Sequence, residues 1–103
     1  MTDTSPESLV YRRLPDVSFS LFGDEGLLVV PRGAWQLVLN GPGAKAFDLV
    51  DGKRTVGEIA DRLAGEYPDA SRDEIARDVA ELLADLADRG AVERAGEGAP
   101  EAP

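Results

Sequence analysis

The sequence predicts an α+β domain in which a three-stranded antiparallel sheet is followed by three helices. Residues 17–21 alternate strictly between apolar and polar side chains, which is typical of a strand with one buried face. Further along, Thr55 precedes Glu58 and Ser71 precedes Glu74 by three positions, the spacing of a capping box. An apolar periodic run follows each pair, so each pair marks the start of a helix.

Three segments between residues 17 and 39 have strand character. Residues 17–22 form the first, and the turn residues 23–26 separate it from the second, residues 27–30. Residues 31–33, Pro-Arg-Gly, form another turn before a third strand over residues 35–39. Turns this short join antiparallel neighbours, so a meander is expected.

Three helices are expected between residues 40 and 90. Asn40 is suited to cap the first, with Pro42 in its first turn, and the Asp51-Gly52-Lys53 segment ends it. The second helix has an apolar stripe of Val56, Ile59, Ala60, Leu63 and Tyr67, and the third has one of Ile75, Val79, Leu82, Leu83 and Leu86. Strands followed by three such helices indicate a winged-helix-like arrangement.

The chain of 103 residues has room for one domain, which we place at residues 13–93. Residues 1–12 are predicted to be a flexible tail. Residues 94–103 contain little that could pack against a core, and we predict a disordered tail there.

The absence of cysteine and histidine excludes thiol nucleophiles, imidazole bases and the commonest zinc and iron ligands. The carboxylates fall mostly between apolar positions on helix surfaces, where a solvated face is their simplest role. We therefore expect no enzyme, no metal and no cofactor. No apolar run reaches the roughly 18 residues of a membrane span, and the start of the chain does not resemble a signal peptide. A soluble cytoplasmic protein without a membrane partner is expected.

The formal net charge of −9 bears on the class of partner. Non-specific affinity for DNA comes from neutralised phosphates, and an acidic surface repels them. We therefore expect no nucleic acid partner. A protein or a basic peptide fits this charge better, although solubility alone also explains it.

The third predicted strand is a candidate peptide-binding edge. An edge strand offers unpaired backbone groups to an extended peptide, and an aromatic residue can anchor it. The residues concerned are Trp35, Gln36, Leu37, Val38 and Leu39. The alternative role of Trp35 is plain core packing.

The third helix contributes the other side of the predicted site. Winding it at about 100° per residue places Glu74, Asp78, Glu81 and Asp85 in a row beside the apolar stripe. Such a row could bind basic side chains of a peptide, and a merely solvated helix face is the alternative. The residues assigned to the site from this helix are Asp78, Val79, Glu81, Leu82, Asp85 and Leu86.

Several segments together resemble the PqqD family. They are Leu37-Val38-Leu39-Asn40, the run from Asp51 to Ile59, the run from Leu63 to Pro68, and the third helix with Arg89-Gly90. The resemblance implies a winged-helix-like RiPP recognition element, a domain that captures the leader of a ribosomally made precursor peptide and presents it to a modifying enzyme. In pyrroloquinoline quinone biosynthesis that enzyme is a radical SAM protein.

Alternatives to this function remain open at the level of sequence. Leader-binding proteins of other peptide pathways, such as the lasso peptides, have a similar domain, and a protein that carries the finished quinone is a variant. A winged-helix transcriptional regulator is the alternative from another class. The acidic third helix and the absence of a basic tail argue against it.

Overall fold

A computed structural model describes residues 6–97, which form two small sheets and three helices. The strands are β1 (Leu9–Arg13), β2 (Ser18–Phe22), β3 (Glu25–Val30), β4 (Trp35–Asn40) and β5 (Val92–Glu97). The helices are α1 (Pro42–Asp48), α2 (Val56–Glu66) and α3 (Arg72–Asp88). Short 3-10 turns occupy Pro6–Ser8 and Pro31–Gly33.

The three-stranded antiparallel sheet confirms the predicted meander. Its strand order is β2-β3-β4, so β2 and β4 are its two edges. Leu28 of β3 pairs with Phe19 on one side and with Leu37 on the other. These side chains point toward the helices, and Leu28 is completely buried. The alternation seen in the sequence therefore places one face of the sheet on the core.

The capping predicted from the sequence is fully confirmed for α2 and differs in part for α1 and α3. Thr55 and Glu58 form the complete capping box of α2. At α3 the Ser71 hydroxyl accepts from the Glu74 N–H at 3.4 Å, and only this half of the box is present. The N-cap of α1 is Gly41, not Asn40, and its φ of 53° is a conformation that glycine adopts at little cost.

A second sheet, which pairs β1 with β5, corrects the predicted tails. Residues 9–12 lie in β1 and residues 94–97 in β5, so the prediction of tails is wrong for these segments. Val10 and Tyr11 of β1 are buried against the helices, and β5 gives β1 a hydrogen-bonding partner. Each segment is too short to be a stable strand alone, and the long-range pairing that stabilises it is not visible in the local sequence. Of the other predicted tail residues, 6–8 form a 3-10 turn, and 1–5 and 98–103 lie outside the described residues.

The core lies between the three-stranded sheet and the helices, with Phe47 at its centre. Phe47 is completely buried and is packed among apolar residues of β3, α2 and α3. Ala91 and Val92 also pack on the core. Among residues 6–97, no helix is both long enough and apolar enough to cross a membrane.

Candidate functional site

Among residues 6–97, no strand pairs with the outer side of β4. The Gly41 N–H donates to the Asp24 carbonyl at 2.8 Å, which fixes the phase of the ladder between β3 and β4. Hydrogen-bonded pairs alternate with non-bonded pairs in an antiparallel ladder, so the residues of β4 that bond to β3 are Trp35, Leu37 and Leu39. The N–H and C=O groups of Gln36, Val38 and Asn40 therefore point away from the sheet, where a further strand can pair with them.

The side chains of β4 divide in the same alternation. Trp35, Leu37 and Leu39 face the helices; the first two are half-buried and Leu39 is buried. Val38, at 56% exposure, faces solvent on the opposite side of the sheet. A strand added at this edge would thus lie next to a partly open apolar surface.

Helix α3 runs alongside β4 in the opposite direction and bounds a cleft with it. At one end the Trp35 Nε1–H donates to the Arg89 carbonyl at 3.2 Å, and the Arg89 guanidinium lies 5.8 Å from the centre of the indole. At the other end Gly43 lies between Leu39 and Leu82, and a Cβ at this glycine would be about 4 Å from both side chains. Leu82 is half-buried, so it forms part of the cleft wall.

A groove of about 390 Å³ continues the cleft beyond the end of β4. Helix α1 contributes Pro42, Gly43 and Ala46, and α2 with the turn after it contributes Leu63, Tyr67 and Ala70. Helix α3 contributes Glu74, Ile75, Asp78, Val79 and Leu82. The lining is mostly apolar, and the two carboxylates are exposed at its rim.

The structure brings together only part of the predicted site on α3. Asp78, Val79 and Leu82 lie on the groove, although Val79 is largely buried. Leu86 is completely buried in the core, so the prediction that it provides cleft surface is wrong. Glu81 is exposed and does not line the groove, and the Asp85 carboxylate already pairs with Arg89 at 3.0 Å.

The sequence reasoning missed the contribution of α1 and α2. Gly43 and Ala46 are small residues three positions apart, which lets α1 and α3 approach while leaving space beside them. Nothing in the sequence marks these residues, because their position on the groove depends on the angle at which α1 leaves β4.

The opposite edge of the sheet, β2, has no such cleft. Phe19 packs against Phe47 with ring centres 4.8 Å apart and the ring planes tilted by 59°. The Arg13 guanidinium lies 5.4 Å from the centre of the Phe19 ring and 4.8 Å from that of the Phe47 ring. Arg13 also donates to the Phe47 carbonyl at 2.9 Å. Burial lowers the pKa of Arg13, and the charge of Asp48 opposes that effect. Leu21 and Phe22 at the end of β2 stay exposed, and Leu21 lines only a smaller pocket, of about 160 Å³, together with residues of α1.

The electrostatics of α3 do not suit nucleic acid. Its exposed acidic residues are Asp73, Glu74, Asp78, Glu81, Asp85 and Asp88, against the two exposed bases Arg77 and, at its C-terminal end, Arg89. A helix that binds in a groove of DNA lies close to phosphates and therefore needs basic residues, whereas the exposed residues of α3 are mainly acidic. Across residues 6–97 there is also no group of three or more metal-binding side chains.

Comparisons with known proteins identify relatives of the whole domain. The family model of coenzyme PQQ synthesis protein D (PqqD) matches residues 25–92, more than half of the chain. A PqqA binding protein of Rhodopseudomonas palustris (strain BisB5) is 50% identical over 52 residues, which are 50% of this chain and 50% of that protein. A PqqA binding protein of Gluconobacter oxydans (strain 621H) is 44% identical over 52 residues, 50% of this chain and 53% of that protein. The chain thus spans about half the length of the curated relatives it matches.

Two solved structures have a similar fold. TbiB1 in complex with the TbiA(beta) leader peptide has a TM-score of 0.71 at 23% identity, covering 80% of this chain and 94% of that chain. The PqqD truncation of Methylobacterium extorquens PqqCD, a stand-alone RiPP recognition element, has a TM-score of 0.70 at 28% identity, covering 90% of this chain and 97% of that one. The family match runs from β3 through all three helices to the start of β5, and the chain belongs to the PqqD family.

Proposed function

We propose that this chain binds the leader of a ribosomally made precursor peptide as an added strand on β4 and presents it to a peptide-modifying enzyme. The observation that carries the proposal is the row of outward backbone groups at Gln36, Val38 and Asn40, beside an open apolar cleft. Strand addition uses such a row for affinity and the neighbouring pockets for specificity.

The names of the related proteins support this proposal. Relatives that are 44% to 50% identical are PqqA binding proteins, and the Methylobacterium extorquens domain is a RiPP recognition element. PqqA is accordingly our first candidate for the bound peptide.

In the proposed complex the leader contacts both sides of the cleft. Trp35, Leu37 and Leu39 form the floor on which alternate leader side chains rest, and Leu82 forms the wall. The exposed carboxylates of Asp78 and Glu81 favour a leader with basic residues. Their effect is about 0.2–1 kcal/mol for each exposed pair.

The modifying enzyme and the compartment are part of the same proposal. We take the enzyme to be a radical SAM protein, as in pyrroloquinoline quinone biosynthesis, and the complex to form in the cytoplasm. The chain's role in it is binding and not catalysis.

Two proline variants test the proposed edge. Val38→Pro removes one outward N–H from β4, and Leu21→Pro does the same for β2, because the phase of the ladder also directs the Leu21 backbone outward. Both side chains are exposed, at 56% and 45%, so the two substitutions are closely matched.

Each variant is titrated with a synthetic PqqA peptide from Rhodopseudomonas palustris. Isothermal titration calorimetry measures the Kd, and NMR of the isotope-labelled chain shows which residues the peptide perturbs. We expect Val38→Pro to weaken binding at least about tenfold, since a lost hydrogen bond and a displaced strand cost at least 1–2 kcal/mol. Leu21→Pro should bind like the parent. If Val38→Pro binds like the parent too, β4 is not the binding edge.

A further inference from the structure

The groove continues the cleft beyond β4: Leu82 borders both, but none of the residues that line the groove belongs to β4. Leu63, Tyr67 and Ile75 give it an apolar interior, and Glu74 and Asp78 stand one helical turn apart at its rim. A cavity of this size accommodates one large apolar side chain together with part of its neighbour.

Within residues 6–97 several acids of α3 have no ion pair, and Glu74 and Asp78 are the two of these that line the groove. Asp61 pairs with Arg72 and Asp85 pairs with Arg89, whereas no ion pair within residues 6–97 engages Glu74 or Asp78. The complementary occupant is a basic segment of another molecule.

The geometry of the cleft also sets which part of a bound peptide reaches the groove. A strand added to β4 pairs most favourably in the antiparallel sense, so its N-terminal side lies at the Asn40 end of β4. There β4 ends at Gly41 and Pro42, and the groove begins at Pro42. The other end is bounded by the contact between Trp35 and Arg89.

We propose that the groove binds a leader segment N-terminal to the strand paired with β4, taking one large apolar side chain inside and an adjacent lysine or arginine at the rim formed by Glu74 and Asp78. This inference rests on the proposed function and adds to it the direction of the leader and the chemistry of a second subsite. The C-terminal part of the leader, which leads to the modified core peptide, then leaves past Trp35.

Paramagnetic labels test the direction. The synthetic PqqA peptide from Rhodopseudomonas palustris is prepared with a nitroxide at its N-terminus or at its C-terminus and is added to the labelled chain. The N-terminal label is expected to broaden the signals of Ala46, Ala70 and Asp78. The C-terminal label is expected to broaden those of Ala34, Trp35 and Gly90.

Matched charge variants test the subsite. The double variant Glu74→Gln/Asp78→Asn is compared with Asp73→Asn/Asp88→Asn, which removes two exposed acids of α3 that do not line the groove. Both change the net charge by the same amount, so long-range attraction is held constant. At low salt we expect the first to raise the Kd about threefold to tenfold and the second to change it less than twofold. The difference should vanish at about 1 M salt.

The outcomes separate this inference from the proposed function. If the peptide perturbs β4 but its N-terminal label broadens Trp35 and Gly90, or if both double variants weaken binding equally, the groove assignment is wrong and strand addition stands. If the peptide leaves β4 unperturbed, the proposed function fails and the groove assignment fails with it. Circular dichroism of both double variants confirms that α3 is intact.

Discussion

The two edges of the three-stranded sheet offer the same backbone chemistry to very different surroundings. At β2, Phe19 is covered by Phe47 and by the Arg13 guanidinium, which also binds the Phe47 carbonyl at the end of α1. At β4, the inner side chains Trp35 and Leu37 stay half-buried beside a cleft. An aromatic pair and a cation hold Phe19 of β2, although Leu21 and Phe22 of that strand stay exposed, whereas β4 borders an open cleft.

This difference shows why an unpaired edge alone does not make a binding site. Every two-edged sheet has two rows of free N–H and C=O groups, and natural proteins usually protect them. What distinguishes β4 is the cleft that it forms with α3 and the groove of about 390 Å³ that continues this cleft. Affinity for a strand needs both the hydrogen bonds and side-chain burial.

The largest expected loss of stability comes from removing Phe47, the ring that packs against Phe19 of β2. Phe47→Ala removes a completely buried ring and should lower the free energy of unfolding by about 3–5 kcal/mol. Phe22→Ala is the matched control, because Phe22 is 56% exposed at the end of β2 and should cost less than about 0.5 kcal/mol. Urea unfolding measures the free energy of unfolding of both variants. Similar losses would show that Phe47 does not anchor the packing against β2.

The next effect separates two neighbouring arginines. Arg13→Ala removes the cation over both rings and a donor to the Phe47 carbonyl, and it should destabilise the chain by about 1–3 kcal/mol. Arg12→Ala removes only the exposed pair with Glu93 and should cost less than about 1 kcal/mol. Thermal unfolding compares them. An equal shift in melting temperature would mean that Arg13 does not help to cover β2.

A smaller effect is expected on the open side. Trp35→Phe keeps a ring in the cleft but removes the donor to the Arg89 carbonyl, and should cost about 0.5–1.5 kcal/mol of stability. PqqA peptide binding should weaken by about threefold to tenfold, because the end of the cleft loses its fixed position. A stability loss above about 3 kcal/mol, measured by urea unfolding, would instead make Trp35 a core residue.

The smallest expected effect on stability concerns the loop between α1 and α2, which contains Asp51. Backbone hydrogen bonds, that of Arg54 first, lower the pKa of Asp51 from its ordinary 3.8, and burial of the carboxylate opposes them. Because the folded pKa is the lower one, the stabilisation is complete above about pH 4 and is lost as the pH falls through the folded value.

Asp51→Ala should therefore lower stability at pH 7 by less than about 1 kcal/mol, and the gap from the parent should shrink below about pH 4. Urea unfolding at pH 7, 5 and 3 measures this gap. A gap that stays constant or widens toward pH 3 would show that the charge of Asp51 is not what holds the loop.

The predictions from sequence succeeded where local signals and burial agree. The alternation over residues 17–21 and the capping box at Thr55 act within a few residues, so they locate β2 and α2 correctly. The turn predicted over residues 23–26 is shorter than expected, because Glu25 and Gly26 already belong to β3. The net charge and the absence of histidine and cysteine could be used to choose between classes of partner and site, because they depend on composition and not on the fold.

The sequence by itself determined the order of strands and helices, the apolar faces that meet in the core, and the resemblance that family membership confirmed. Only the tertiary structure decided that β1 and β5 pair, that Leu86 is buried, and that α1 and α2 complete a groove beside Asp78. The physical reason is the range of the interactions. Periodicity and caps depend on neighbours three or four residues away, whereas pairing across more than 80 residues and the gaps between helices depend on how whole elements pack.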